Sequence, residues 1–154
     1  MAVVAAGQPA PDFTLRTGEG EAFTREQLLG RTTVLVFYPF AFSPVCTDQL
    51  SIYQELLEDF EQRGVTLYGV SCDAVWSQQA FREQLGVTIE QLSDFEPKGA
   101  TCAAFGVLHP GGFPQRALVL VGEDATVRWS YEAASPGDLP GANLIFDALG
   151  AAAT

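Results

Sequence analysis

Apolar runs and segments with helical spacing alternate along the chain. The first long apolar run, 33–38, is rich in β-branched and aromatic residues, which predicts a strand buried on both faces. A Pro-containing turn follows. Beyond the turn, apolar residues recur at helical spacing with polar residues between them: Leu50, Tyr53, Leu57 and Phe60. A buried strand is therefore expected to lead through a turn into a helix.

The rest of the sequence continues the same alternation. The segments 13–15 and 22–24 flank a Gly-rich turn and predict a β-hairpin, and a short helix through Leu29 follows. We expect Asp73 to cap a helix that buries Trp76, Ala80, Phe81 and Leu85 on one face. Further strands are predicted at 65–71, 91–93, 116–121 and 126–131, and further helices at 98–105 and about 142–151.

This order of elements is that of an α/β, thioredoxin-like fold. It predicts a central mixed sheet flanked by helices, with the N-terminal β-hairpin as an addition. The 154 residues contain no repeat and no linker, so we expect one domain, 1–154.

Composition excludes several classes of function. The net charge of −11 argues against a nucleic-acid partner and against charge-driven binding to an anionic membrane. No apolar run approaches the roughly 18 residues of a membrane helix, and the N-terminus lacks the pattern of a signal peptide. We therefore expect a cytoplasmic protein. The three cysteines form no C-x-x-C pair, so neither a disulfide framework, a metal site nor a cofactor is predicted.

Cys46 is the first candidate for chemistry, because it falls in the first turn of the predicted helix. Backbone N–H groups are unpaired there and the helix dipole is positive, so a thiolate is favoured over a thiol. Ser43 lies three residues earlier, within reach of the sulfur or of a bound oxygen ligand. Pro39 fixes the chain where it leaves the strand. The alternative is an inert, buried cysteine.

Arg116 is the second candidate, since it begins a buried apolar strand, where a charge requires a partner. Its guanidinium could point at Cys46 and stabilise the thiolate, or it could lie in solvent at the strand end. His109 could act as a base, although a stable thiolate needs none. Phe40 and Phe42 could face a pocket or a second copy of the chain.

The pattern Pro39-x-x-x-Ser43-x-x-Cys46 after a hydrophobic strand resembles the active-site motif of the peroxiredoxins. The resemblance implies that Cys46 is the peroxidatic cysteine, that Pro39 shields it and that Ser43 hydrogen-bonds the peroxide. It also implies an arginine near the sulfur, for which Arg116 is the candidate. Gln49 departs from the family, which often has Glu there to pair with the arginine.

Within the family, Ser51 stands where some members have a second cysteine, and the segment 93–100 is similar to that of the one-cysteine alkyl hydroperoxide reductase E type of actinobacteria. The resemblance implies a homodimeric thiol peroxidase that reduces hydrogen peroxide, organic hydroperoxides and peroxynitrite through a Cys46 sulfenic acid. The reductant would be an external thiol, such as mycothiol with a glutaredoxin-like protein, or thioredoxin.

The other two cysteines are expected to be inert core thiols. The alternative is that one of them forms a disulfide with oxidised Cys46. Cys72 is the stronger candidate for that role, because it ends a strand beside the central one and is expected on the same side of the sheet as Cys46, whereas Cys102 is expected to pack in a short helix. The main alternative to an enzyme is a thioredoxin-fold redox sensor or binding protein that is oxidised at Cys46 without efficient turnover. A thiol–disulfide oxidoreductase would need C-x-x-C.

Overall fold

The computed structural model describes residues 3–135 and 137–152. Its strands are β1 (Thr14–Arg16), β2 (Ala22–Thr24), β3 (Thr32–Phe37), β4 (Val65–Ser71), β5 (Glu90–Ser93), β6 (Ala117–Val121) and β7 (Val127–Glu132). Its α-helices are α1 (Pro44–Glu55), α2 (Leu57–Gln62), α3 (Val75–Leu85), α4 (Ala100–Ala104) and α5 (Ala142–Ala152), and a 3₁₀ helix spans Arg25–Leu28.

The strands form one mixed sheet of seven strands in the order β2-β1-β5-β4-β3-β6-β7. The central β3 pairs in parallel with β4, and β4 pairs in parallel with β5. On its other edge β3 pairs antiparallel with β6, which continues antiparallel into β7. The predicted mixed sheet with an N-terminal hairpin is confirmed.

Two hydrophobic clusters cover the two faces of the sheet. Alternate residues of β3 point to opposite faces, so Leu35 and Phe37 belong to one cluster and Val34 and Val36 to the other. The cluster with Val34 includes residues of α1, α2, α3 and α5, and the cluster with Leu35 includes the β1–β2 hairpin and α4. The sheet therefore separates two sets of side chains.

Two details of the helices differ from the sequence prediction. The helix expected to run from Cys46 past Phe60 is broken at Leu56, whose backbone (φ −104°, ψ 6°) leaves the helical region between α1 and α2. The predicted buried face of α3 is wrong at Trp76, which is 86% exposed, and at the exposed Ala80. Gln78 and Phe81 are the buried residues of that helix.

Candidate active site

The loop between β3 and α1 brings Cys46 to the start of a helix. Ser43 is the N-cap residue with extended backbone, and Pro44 occupies the first helical position, where its missing N–H costs no hydrogen bond. Cys46 is the third residue of α1 and is fully buried. The sulfur thus lies in the first turn, as the sequence predicts.

Strand pairing places Arg116 beside this turn. Ala117 pairs with Phe37, so the residue before β6 lies next to the loop that follows β3. A guanidinium N–H of Arg116 donates to the Cys46 sulfur at 3.2 Å, and Arg116 is only 2% exposed. Of the two positions considered for this arginine, the structure has the one beside the cysteine. A buried cation at this distance stabilises a thiolate by charge and by hydrogen bonding.

A chain of buried hydrogen bonds holds the arginine. Its second terminal nitrogen donates to Gln49 Oε1 at 2.6 Å, and Gln49 Nε2 donates to the Tyr53 hydroxyl at 3.2 Å. Tyr53 in turn donates to the carbonyl of Pro140 at 2.6 Å. Burial raises the pKa of Tyr53 to about 12, so its hydroxyl stays protonated and keeps this donor role at neutral pH. Gln49 therefore supplies the acceptor for Arg116 that a Glu would supply.

Pro39 and Ser43 occupy the loop in different environments. Pro39 is buried, whereas Ser43 is partly exposed. Within the described part of the chain, the Ser43 hydroxyl makes no capping hydrogen bond to α1. This hydroxyl is therefore not used to cap the helix.

Asp73 supports the same loop, a role that the sequence did not indicate. The predicted cap at Asp73 is wrong, because the N-cap of α3 is Ala74. The Asp73 carboxylate instead accepts the backbone N–H of Ala41 at 2.8 Å. One residue further, Phe42 has a positive φ of 71°, a conformation that costs a non-glycine residue roughly 1–2 kcal/mol. Contacts such as the one from Asp73 offset that cost.

The two phenylalanines of the loop are about half exposed, Phe40 at 49% and Phe42 at 47%. The Phe40 ring packs on Phe113 with a centroid distance of 5.0 Å, and Phe42 packs on Phe81 at 5.2 Å. The His109 ring stacks on the same Phe113, with 4.3 Å between the two ring centroids. Each phenylalanine of the loop thus packs on a second phenylalanine while about half of it stays exposed.

The two other cysteines lie away from Cys46. Cys46 belongs to the cluster with Val34, whereas Cys72 and Cys102 belong to the cluster with Leu35. The expectation that Cys72 shares a side of the sheet with Cys46 is therefore wrong. The error lies in which alternate residues of β4 point to which face of the sheet. Val70 and Cys72 point to one face, and Leu67 points to the other.

No helix within residues 3–135 and 137–152 is long and apolar enough to cross a membrane.

Comparisons with known proteins agree with this architecture. The AhpC/TSA family model matches residues 6–130. Alkyl hydroperoxide reductase E of Mycobacterium tuberculosis is 32% identical over 147 residues, which cover 94% of this chain and 95% of that protein. A peroxiredoxin of Thermoplasma volcanium is 32% identical over 133 residues, covering 82% of this chain and 64% of that protein.

Solved structures give the same result. Enterococcus faecalis AhpC is similar with a TM-score of 0.88 at 26% identity, covering 97% of this chain and 92% of that one. The peroxidoxin BcpB of Mycobacterium tuberculosis has a TM-score of 0.82 at 26% identity and covers 97% of each chain. With its thioredoxin-like fold and a family match over most of its length, the chain belongs to the AhpC/TSA family and is a peroxiredoxin.

Proposed function

We propose that the protein is a thiol-dependent peroxidase in which Cys46 is the reacting cysteine. The observation that carries the proposal is the 3.2 Å hydrogen bond from the buried Arg116 guanidinium to the Cys46 sulfur at the start of α1. Both the cation and the helix terminus favour the thiolate, which is the nucleophilic form.

In the proposed reaction, the Cys46 thiolate attacks the terminal oxygen of R–O–O–H. A sulfur–oxygen bond forms, the O–O bond breaks, and the departing alkoxide takes a proton to become an alcohol, or water when the substrate is hydrogen peroxide. Cys46 becomes a sulfenic acid, the first product of thiol oxidation. Negative charge builds on the departing oxygen, so hydrogen-bond donors near that oxygen lower the barrier.

We assign the donor role to Arg116 and Ser43. Arg116 already contacts the sulfur, and Ser43 is partly exposed and makes no capping hydrogen bond to α1. Pro39, which is buried, would shield the thiolate from water on the strand side. Because the sulfur is buried, peroxide would enter along the loop edge that carries Ser43.

We propose a one-cysteine mechanism with an external reductant. Cys72 and Cys102 belong to the core cluster on the other face of the sheet, which supports a mechanism in which neither forms a disulfide with Cys46. One thiol molecule would attack the sulfenic sulfur and release water, and a second would release the Cys46 thiol as an external disulfide forms. Mycothiol with a glutaredoxin-like protein, or thioredoxin, would fill this role in the reducing cytoplasm.

We further propose that substrates include hydrogen peroxide, organic hydroperoxides and peroxynitrite, and that the single domain 1–154 acts as a homodimer. The half-exposed Phe40 and Phe42 rings are the apolar surface that a second copy would cover. Analytical ultracentrifugation at micromolar concentration should give a dimer, and Phe40→Glu should shift it toward monomer. A monomeric wild-type protein would contradict the proposed assembly.

Turnover distinguishes a peroxidase from a redox sensor. With excess peroxide and a low-molecular-weight thiol, the wild-type protein should consume many equivalents of peroxide, and Cys46→Ser should consume no more than its remaining thiols. Cys102→Ala is the matched control, because it removes a buried cysteine from the other core cluster and should keep turnover. Consumption that stops after one equivalent in the presence of every thiol tested would favour the sensor.

A further inference from the structure

Two cysteines distant in sequence meet on the face of the sheet opposite Cys46. Cys72 directly follows β4, and Cys102 lies within α4. Their sulfur atoms and a carboxylate oxygen of Asp94 all lie within 4.8 Å of one another. All three residues are buried. Cys72 is 7% exposed, whereas Cys102 is fully buried.

The backbone on both sides of this thiol pair is fixed. Ser71, just before Cys72, accepts the N–H of Asp94 at 2.8 Å, and the carbonyl of Asp73, just after it, accepts the Ser93 hydroxyl at 2.5 Å. The Asp94 carboxylate accepts the N–H groups of Thr101 at 3.0 Å and Cys102 at 2.8 Å. The end of β4 and the start of α4 are thus tied to the same end of β5, which holds the two thiols together.

The two sulfurs differ in their readiness to react. A hydrogen bond from the Cys102 thiol lowers the pKa of Cys72, whereas the same hydrogen bond and burial raise the pKa of Cys102. Cys72 is accordingly the nucleophile, and it is also the more accessible sulfur. Cys102 keeps its proton until it forms a bond.

We infer that Cys72 and Cys102 form a second redox site, independent of Cys46, that peroxide converts into an intramolecular disulfide. The Cys72 thiolate attacks a peroxide oxygen, the O–O bond breaks, and the leaving oxygen takes a proton. The Cys102 sulfur then attacks the Cys72 sulfenic sulfur, and the departing hydroxide takes the Cys102 proton and leaves as water. Two thiols lose two electrons, and one peroxide is reduced to an alcohol and water.

This second site should be slower than the active site. Asp94 and Asp73 place negative charge near Cys72 and oppose its thiolate, and Lys98 offsets them only in part. Arg116 hydrogen-bonds Cys46 instead. Since one well-placed donor is typically worth about 10²–10³ in rate, we expect oxidation of the pair to be at least about a hundredfold slower than that of Cys46. The site would respond when peroxide persists after Cys46 has been oxidised.

The experiment uses the Cys46→Ser variant, which leaves only these two thiols. The folded protein is treated with EDTA and then with excess hydrogen peroxide, quenched, unfolded without reductant and alkylated. Intact mass and peptide mapping should show loss of two hydrogens, no alkylation and a linked Cys72–Cys102 peptide. The matched double variants Cys46→Ser/Cys102→Ala and Cys46→Ser/Cys72→Ala should form no internal disulfide, and the first should gain oxygen faster than the second, because Cys72 is the more accessible sulfur.

Three results would overturn the inference. In the first, both thiols remain alkylatable after long exposure to peroxide. In the second, oxygen adds to Cys72 or Cys102 without a linked peptide. In the third, the disulfide appears only when peroxide is added to urea-unfolded protein, which would mean that the folded geometry plays no part. None of these outcomes bears on turnover at Cys46, because the variant lacks that cysteine.

Discussion

Replacing Gln49 with Leu tests how the arginine is held beside the sulfur. Gln49 is fully buried and accepts from Arg116 at 2.6 Å, while the other terminal nitrogen of Arg116 donates to Cys46 at 3.2 Å. Leucine fills a similar volume but removes both the acceptor for Arg116 and the donor to Tyr53. Hydrogen bonds to charged groups contribute about 1.5–3 kcal/mol, so stability should fall by roughly that amount. If part of this energy orients the guanidinium for the reaction, the second-order rate with peroxide should fall about tenfold or more.

The control is Gln49→Glu, which like leucine lacks the donor to Tyr53 but retains the acceptor for Arg116. Its rate should stay within about threefold of wild type, because an Arg–carboxylate hydrogen bond replaces an Arg–amide one. Stopped-flow oxidation gives the rate, and urea unfolding gives the stability of each variant. A Leu variant that is destabilised but reacts at the wild-type rate would refute the reasoning, since Gln49 would then support the fold without orienting Arg116. Equal losses in both variants would also refute it.

Three further predictions concern neighbouring contacts. Arg116→Ala should lower the peroxide rate by about 10²–10³ while the far-ultraviolet circular dichroism stays native, because one transition-state donor is lost; an unchanged stopped-flow rate would contradict its assigned role. Asp73→Ala should cost about 1 kcal/mol in urea unfolding and slow the reaction several-fold, because Ala41 loses its acceptor. Asp73→Asn, which keeps an acceptor oxygen there, should recover most of the lost stability and rate. If the Ala and Asn variants have the same stability and rate, the contact does not support the loop. The pKa of Tyr53 is raised from 10.0 to about 12 in the folded state, so its contribution to stability is complete below pH 10 and is lost as the pH rises toward 12. Tyr53→Phe should therefore lose less stability than wild type between pH 10 and 12, and parallel losses would contradict a buried, protonated hydroxyl.

The strands and the position of Cys46 could be predicted because their signals are local. The segment of β3 is short and rich in β-branched and aromatic residues, which favours a strand buried on both faces, and a Pro-containing turn before an amphipathic segment marks the start of a helix. The break at Leu56 had no such signal, since neither Pro nor Gly interrupts the sequence there. Trp76 was misplaced because helical spacing alone does not say which of two possible faces is buried.

The long-range parts of the site could not be predicted from spacing. Arg116 was a candidate because a charge at the start of a buried strand needs a partner and because the family resemblance implies an arginine near the sulfur. Its contact with Cys46 depends on the pairing of β6 with β3. The bond between Tyr53 and Pro140 joins residues 87 positions apart. The side of the sheet on which Cys72 lies depends on the parity of β4, where an error of one residue reverses the face.

The central claim is that peroxide oxidises Cys46 first. The most direct measurement adds one equivalent of hydrogen peroxide to the reduced wild-type protein in the presence of a dione probe for sulfenic acids, followed by peptide mass spectrometry without reductant. The account predicts near-stoichiometric labelling of Cys46, with Cys72 and Cys102 still carrying free thiols. Labelling that falls mainly on Cys72, or a rapid and near-stoichiometric disulfide between Cys46 and either of the other cysteines, would contradict it.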